Sequence, residues 1–365
     1  MKNLFLTFCI LIGSISILTS CKKDDNNCTE TLWYEDADGD GLGNADVTIT
    51  ACDQPAGYVD NGTDPDDTGG SDYVVKNVDA SLFLTDGTNF TIETVNCTLS
   101  DGTETTCYQI TTNGVPTDHN MGPWCPDNIA DGAEQGGIWL EGGEVYDVDG
   151  EFVKNMASFY NDSEWLMYDA NGDIYKTKTE DDCANAANPN VGAEYKNFCV
   201  ECLPSYVTNL THTYLIPVTP VKLDDPVPFG MMGPPGMATD GPSNRGLALN
   251  GIVFDAAAPT DAILGAYTLA PFDDAGGHIN LAAGYHYHAA TGVSTEIAQA
   301  DGHAPLIGYA MDGHGIYARL NTDGEEPTDL DECRGHYDEI RGYHYHVDYA
   351  GNNNFINCLG GAYAN

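Results

Sequence analysis

The stretch GYHYH occurs twice, at residues 284–288 and 342–346, and it constrains the backbone more tightly than any other feature of the chain. Strict alternation of two residue types has the period of a β-strand, in which residues two apart share a face. His286 and His288 then project together, about 7 Å apart, while Tyr285 and Tyr287 face the other way. His344 and His346, with Tyr343 and Tyr345, repeat the arrangement. Two imidazoles on one face can converge on an ion, and if the two strands lie side by side, up to four can meet. The tyrosines would then fill the buried face and supply hydroxyls behind the ligands. The alternative is two strands of an aromatic core with hydrogen-bonded, structural histidines.

Eight of the ten histidines fall between His278 and His346. This enrichment separates the segment from ordinary core and brings His278 and His303 into the candidate set. His212 stands in an expected strand, HTYLIPV, without a neighbouring ligand type, and reads as structural.

Elsewhere, short β-branched and aromatic runs (DYVVKNV, NFTIETV, CYQITT, HTYLIPV) alternate with Gly, Asn and Asp turns, and no long segment keeps a 3.6-residue apolar period. The expectation is a mainly β protein: one large irregular β domain over residues 73–365 with a few short helices, DDCANAA and EIAQA among them, preceded by a small acidic segment over residues 21–72. Residues 132–210 read as a hairpin-rich insertion. In it EVYDVDGEFV and WLMYDANGDIY each look like strand, Asp/Asn-Gly turn and strand.

The balance of 13 Lys+Arg against 56 Asp+Glu, a formal charge of −43, repels phosphate backbones and argues against nucleic-acid partners; divalent cations are the natural ones. Twelve cysteines include Cys9 in an apolar leader and Cys21 just after it, leaving an even number beyond, which favours disulfides in an exported protein. Cys97 and Cys107 flank a turn, and Cys333 and Cys358 bracket the second tetrapeptide. The lone CxxC of Cys199 and Cys202 reads as structural, and Cys183 is a further clip for the insertion. With thiols oxidised, a transition metal falls to His, carboxylate or Tyr.

DADGDGLGNAD sets Asp36, Asp38 and Asp40 at alternate positions before a turn glycine, with Asn44 and Asp46 as further oxygens, as a calcium loop requires. Val47 stands where an EF-hand has its terminal Glu. The surrounding stretch, from LWYEDADGDG to NGTDPDD, resembles the thrombospondin type 3-like calcium modules of bacterial surface proteins. The leader MKNLFLTFCILIGSISILTSC resembles a bacterial lipoprotein signal over residues 1–20. That resemblance implies cleavage before Cys21, lipid on its thiol and a membrane tether, and the following KKDDNN is similar to export signals of surface lipoproteins.

GLALNGIVFD, GGHINLAAGYHYH, HAPLIGYAMDGHGIYA, DLDECRGHYDEIRGYHYHV and CLGGAY stand in the order of the bacterial YHYH domain, and TTNGVPTDHNMGPWC resembles its upstream element. The resemblance points to His119, His278, His286, His288, His303, Asp312, His344 and His346; His314 and His336 are left aside. The expected function is an outer-membrane or cell-surface lipoprotein that binds copper or zinc through these residues and calcium in the N-terminal loop. A metal-dependent hydrolase or oxidase is the alternative, and an adhesion protein with structural histidines a second. Neither G-x-S-x-G nor H-E-x-x-H occurs to support the common hydrolase classes.

Overall fold

A computed structural model of the chain describes residues 30–37, 43–62, 74–85, 90–187, 191–230 and 241–364. The chain divides into two units, Met1–Tyr73 and Val74–Asn365. In the first, β1 (Thr31–Glu35) pairs antiparallel with both β2 (Asn44–Ala51) and β3 (Tyr58–Val59). Asp38, Asp40 and Cys21 lie outside the described residues. Asp36 follows β1 and its N–H donates to the Gly57 carbonyl at 3.0 Å, while the Asn44 side-chain oxygen accepts from the Asp46 N–H at 2.8 Å.

The larger unit is mainly β. It begins with a hairpin of β4 (Thr91–Thr98) and β5 (Glu104–Thr112), stapled by the Cys97–Cys107 disulfide. A second hairpin, β6 (Ile138–Glu141) and β7 (Glu144–Asp147), turns through Gly142 and Gly143 at positive φ. The expected strand after Asp149-Gly150 is instead α1 (Gly150–Phe159). The Asp149 carboxylate accepts from the Phe152 N–H at 2.7 Å, so this Asp-Gly pair caps a helix, and Val153 and Met156 bury one face at i, i+3 spacing. α2 (Glu180–Ala186) forms within the expected DDCANAA segment behind a Thr179/Asp182 capping box. EIAQA carries no helix, and its Ile297 bridges to Leu306 as a strand would.

After β8 (Phe198–Cys199), β9 (His212–Pro217) returns to pair with β5. The two cysteines of the CxxC take different partners, Cys199 with Cys125 and Cys202 with Cys183, which removes both thiols from metal chemistry. Trp139, Val153, Met156, Trp165 and Phe272 form the core of this region, and Phe272 carries that core to the histidines described below.

The remaining elements are β10 (Lys222–Pro228), β11 (Gly246–Ala248), β12 (Val253–Phe254), α3 (Thr260–Gly265), β13 (Thr268–Leu269), β14 (Gly277–Asn280), β15 (Gly284–Tyr287), β16 (Leu306–Ala310), β17 (Gly315–Tyr317), β18 (Gly335–Asp338), β19 (Gly342–His346) and β20 (Cys358–Gly361). Eight of them make one sheet in the order β14-β15-β12-β11-β16-β17-β19-β18. At its centre Leu247 lies opposite Tyr309, with Gly246 opposite Ala310 and Ala248 opposite Gly308. To one side, the β11–β12 hairpin turns at Asn250-Gly251 and lies parallel to β15, Phe254 beside Tyr287. To the other, the β16–β17 hairpin turns at Asp312-Gly313 and lies parallel to β19, Ile316 beside Tyr345. The sheet is two copies of one four-strand pattern facing each other across β11 and β16. The condition for all four tetrapeptide imidazoles to meet, strands side by side, is not met: β15 and β19 are separated by β12, β11, β16 and β17.

Candidate metal centre

Each tetrapeptide finds its partner in its own hairpin. His278 lies opposite His286 across β14 and β15, and His336 opposite His344 across β18 and β19, in identical registers. Gly277 and Gly335, just before the partner histidines, are glycines for a packing reason. A Cβ on either would overlap the hydroxyl of Tyr285 or Tyr343.

Two imidazole groups result, His278, His286 and His288 in one copy and His303, His336, His344 and His346 in the other. Within each, the ligand atoms lie within 4.8 Å of one another. The second group settles its own protonation pattern. Nδ1 of His303 meets the Ala304 carbonyl at 2.9 Å, that of His344 the Gly342 carbonyl at 2.8 Å, and that of His346 the Ala318 carbonyl at 2.9 Å. Nδ1 of His336 meets the Asp329 carboxylate at 2.9 Å. Carbonyl and carboxylate oxygens only accept, so every Nδ1 donates, and in the neutral ring every Nε2 carries a bare lone pair.

Those lone pairs point at one another. Nε2 of His303 is 3.0 Å from that of His344 and 3.2 Å from that of His346, and His336 and His346 are also 3.2 Å apart. Protons on His344 and His346 do not relieve the repulsion, because burial, and then the neighbouring His336, pushes His346 down to about 3 and His344 lower still. Burial lowers His303 as well. A cation at the centre does relieve it: four nitrogens about 2.05 Å from a tetrahedral zinc stand about 3.3 Å apart.

The first copy repeats these anchors. His286 Nδ1 meets the Gly284 carbonyl at 3.0 Å, His288 Nδ1 meets the Ala256 carbonyl at 2.6 Å, and His288 and His278 bring their Nε2 atoms to 3.2 Å. Burial holds all three imidazoles below their ordinary range, His278 and His288 well below it. Phe272 packs on His278 and His288 with ring centroids 5.0 and 5.2 Å away.

The tyrosines occupy the opposite face, where the carboxylates of buried Asp273 and exposed Asp331 pin the first tyrosine of each pair. Tyr285 donates to Asp273 at 2.8 Å and Tyr343 to Asp331 at 2.6 Å. Each carboxylate also accepts backbone N–H groups at the start of its own hairpin, Ala275 and Gly277 or Cys333 and Gly335. Tyr287 accepts from Asn250 Nδ2 at 2.8 Å, while Tyr345 donates to Asp312 at 2.5 Å.

Of the residues singled out from sequence, six lie in the imidazole groups: His278, His286, His288, His303, His344 and His346. His119 and Asp312 lie on the tyrosine face. His119 bonds Asp118 at 2.8 Å and comes within 3.3 and 3.4 Å of the Tyr285 and Tyr287 hydroxyls. Asp312 is fully buried and bonded by Tyr345 and by the Gly361 N–H, with His314 Nδ1 3.1 Å away. Burial alone would raise the Asp312 carboxyl, but His314 and Tyr345 together hold it below its ordinary value. His336, left aside from the sequence, completes the second group. Its signal was the spacing, since Gly-His stands seven residues before the Gly-Tyr in both copies.

No curated protein and no solved structure matches this chain. Residues 213–329, which hold the whole first imidazole group together with His303 and Asp312, match the family model described as YHYH protein.

Proposed function

We propose that this protein holds transition-metal ions, zinc or copper, in its imidazole groups, and that it does so outside the cytoplasm, tethered by lipid at Cys21 and carrying calcium in its acidic N-terminal loop. One observation carries the metal reading: four bare Nε2 lone pairs converge within a few ångströms with each Nδ1 already committed to an acceptor. A structural cluster would interleave donors with acceptors; this one has acceptors only. Imidazole suits zinc and copper, and in the larger unit four disulfides among the described residues take thiolate out of competition.

Elemental analysis of protein purified without a His tag tests this. A tightly held zinc or copper ion, reduced in His346→Ala, is the expected result; an empty, normally folded protein that takes up neither metal overturns it. The tether and the calcium rest on sequence. Cys21→Ala is expected to release the protein from membranes, and Asp38→Ala with Asp40→Ala to remove one calcium while leaving the larger unit folded.

A further inference from the structure

The two imidazole groups sit on the same scaffold, yet their surroundings differ at three matched places. In the second copy His303 supplies the fourth imidazole; among the described residues, the first copy has no counterpart. Tyr317 follows β17's Ile316 and packs its ring 4.8, 4.9 and 6.1 Å from those of His303, His344 and His346. The matching residue after Phe254 is Asp255, whose carboxylate stands 3.9 Å from His286 Nε2 and outside the imidazole group. Finally, Arg341, just before the hairpin glycine of β19, is buried beside Tyr317 and ion-paired with Asp338 and Asp301. Its counterpart before Gly284 is Ala283.

Where the second copy has Tyr317 and Arg341, the first has a cavity of about 420 Å³, with Asp255 and Ala283 both in its wall. His212, Asn244 and Tyr214 line it too, and His212 Nε2 is shielded from solvent without a hydrogen-bond partner. The volume is in the range of small-molecule sites, and the wall mixes apolar side chains, Leu215, Val253 and Met311, with convergent polar groups.

We propose that the two groups are non-equivalent metal sites. The His303 group is closed by four imidazoles. The His278 group holds its ion with one coordination position facing Asp255, which stands both 3.9 Å from His286 Nε2 and in the cavity wall, and there it takes an exogenous oxygen donor: water at rest, displaced by a hydroxyl oxygen of a small molecule. Three protein ligands plus an exchangeable position is the arrangement of reactive zinc sites, and four protein ligands that of structural ones. Asp255 accepts a hydrogen bond from the bound oxygen, and His212 offers its unpartnered nitrogen to the rest of the ligand. This inference rests on the metal reading above.

Cobalt(II) in place of the native ion gives a visible spectrum that reports each site, and azide serves as the probe of an open position. The full chain is expected to bind two cobalt ions, with azide changing the absorption of one. His286→Ala removes the azide-sensitive ion and leaves the other. Asp255→Tyr with Ala283→Arg copies the second site's plug into the first and is expected to keep two ions while weakening azide binding at least tenfold; Ala283→Arg alone is the backup if the pair misfolds. An azide response from neither ion or from both overturns the inference, as does one ion per chain that survives His286→Ala. In each of those cases the metal reading stands. Failure to bind any cobalt, zinc or copper removes both.

Discussion

The β14–β15 and β18–β19 hairpins present their histidines by the same device. In both, the first His of the tetrapeptide is fixed by the carbonyl two residues before it, and the second by a carbonyl just past the end of the adjoining parallel strand, Ala256 or Ala318. In both, the tyrosines behind are held by carboxylates or an amide. What differs lies on neighbouring elements: Asp255 against Tyr317, Ala283 against Arg341, and a fourth imidazole in one copy. Presentation of ligands is therefore built into the hairpin, whereas access to the ion is set by what packs beside it. One half of a duplicated sheet can change its use without disturbing the geometry of its ligands.

If the copies are separate sites, ligand removal in one must not reach the other. His346→Ala and His288→Ala are each expected to lower transition-metal affinity at their own site by more than about a hundredfold, since losing a ligand costs more than losing the residue behind it. The other site's affinity should be unchanged in each case. Competition titration against a chromophoric chelator separates the two constants. Loss of both sites from a single substitution would mean the groups act as one.

Metal-free protein should show a steep acid dependence arising from both copies. His346 is pushed down to about 3, and His278, His288 and His344 are lowered in the same direction by burial, while an unfolded His titrates near 6.5. Between those values the unfolded chain binds more protons than the native one, so stability falls as pH drops from 6.5 toward 3. At pH 5 the loss is on the order of 2 kcal/mol for each imidazole that stays neutral in the fold. Urea unfolding at pH 7 and pH 5 measures it. Zinc at saturating concentration should raise stability at both pH values by a similar amount and leave the slope unchanged, because the native rings are already neutral without the ion. A slope that flattens with zinc would show that the metal-free rings take up protons in the fold and would break this account.

On the tyrosine face the copies should differ in the cost of a lost hydroxyl. Tyr345 donates to the fully buried carboxylate of Asp312, whereas Tyr287 meets the neutral amide of Asn250. Tyr345→Phe is expected to cost about 2–3 kcal/mol and Tyr287→Phe about 1 kcal/mol. Urea unfolding at neutral pH of the two metal-free variants decides it, and equal costs would show that the carboxylate is satisfied without the tyrosine.

The period-two alternation was legible because it is local: it placed His and Tyr on opposite faces before any partner was known. The pairing of the strands was not, since nothing within GYHYH says which neighbour completes the site. His336 was recoverable from the matched spacing of GHINLAAGYHYH and GHYDEIRGYHYH, a comparison between copies that single-motif reading passes over. His119 and Asp312 fall outside the imidazole groups for the converse reason. Each stands near the tetrapeptides in space but on the tyrosine side, and a histidine bonded to Asp118 looks no different in sequence from one bound to an ion. The Asp149-Gly150 pair shows a third kind of failure, in which one dipeptide serves equally well as a hairpin turn or a helix cap. The apolar spacing that follows it, with Val153 and Met156 buried, decides the outcome.

The smallest expected difference between the copies lies behind His336. Three rings of its group are fixed by backbone carbonyls, which no substitution removes, but His336 Nδ1 is held by Asp329, a side chain that is 67% exposed. A carboxylate behind a ligand histidine fixes the tautomer and raises the basicity of the ligating nitrogen, and its removal costs 10–100-fold in affinity where the pair is sheltered. Water competes for an exposed carboxylate, so Asp329→Asn is expected to sit at or below about tenfold. The amide oxygen of Asn can still accept from Nδ1, whereas Asp329→Ala removes the acceptor and should cost more. Chelator competition on the two variants orders them. If Asp329→Ala binds metal as tightly as the unmodified protein, His336 is oriented by its packing against His344 and His346 alone, and all four rings of the second site are then fixed by the hairpin and its neighbours without help from any side chain behind them.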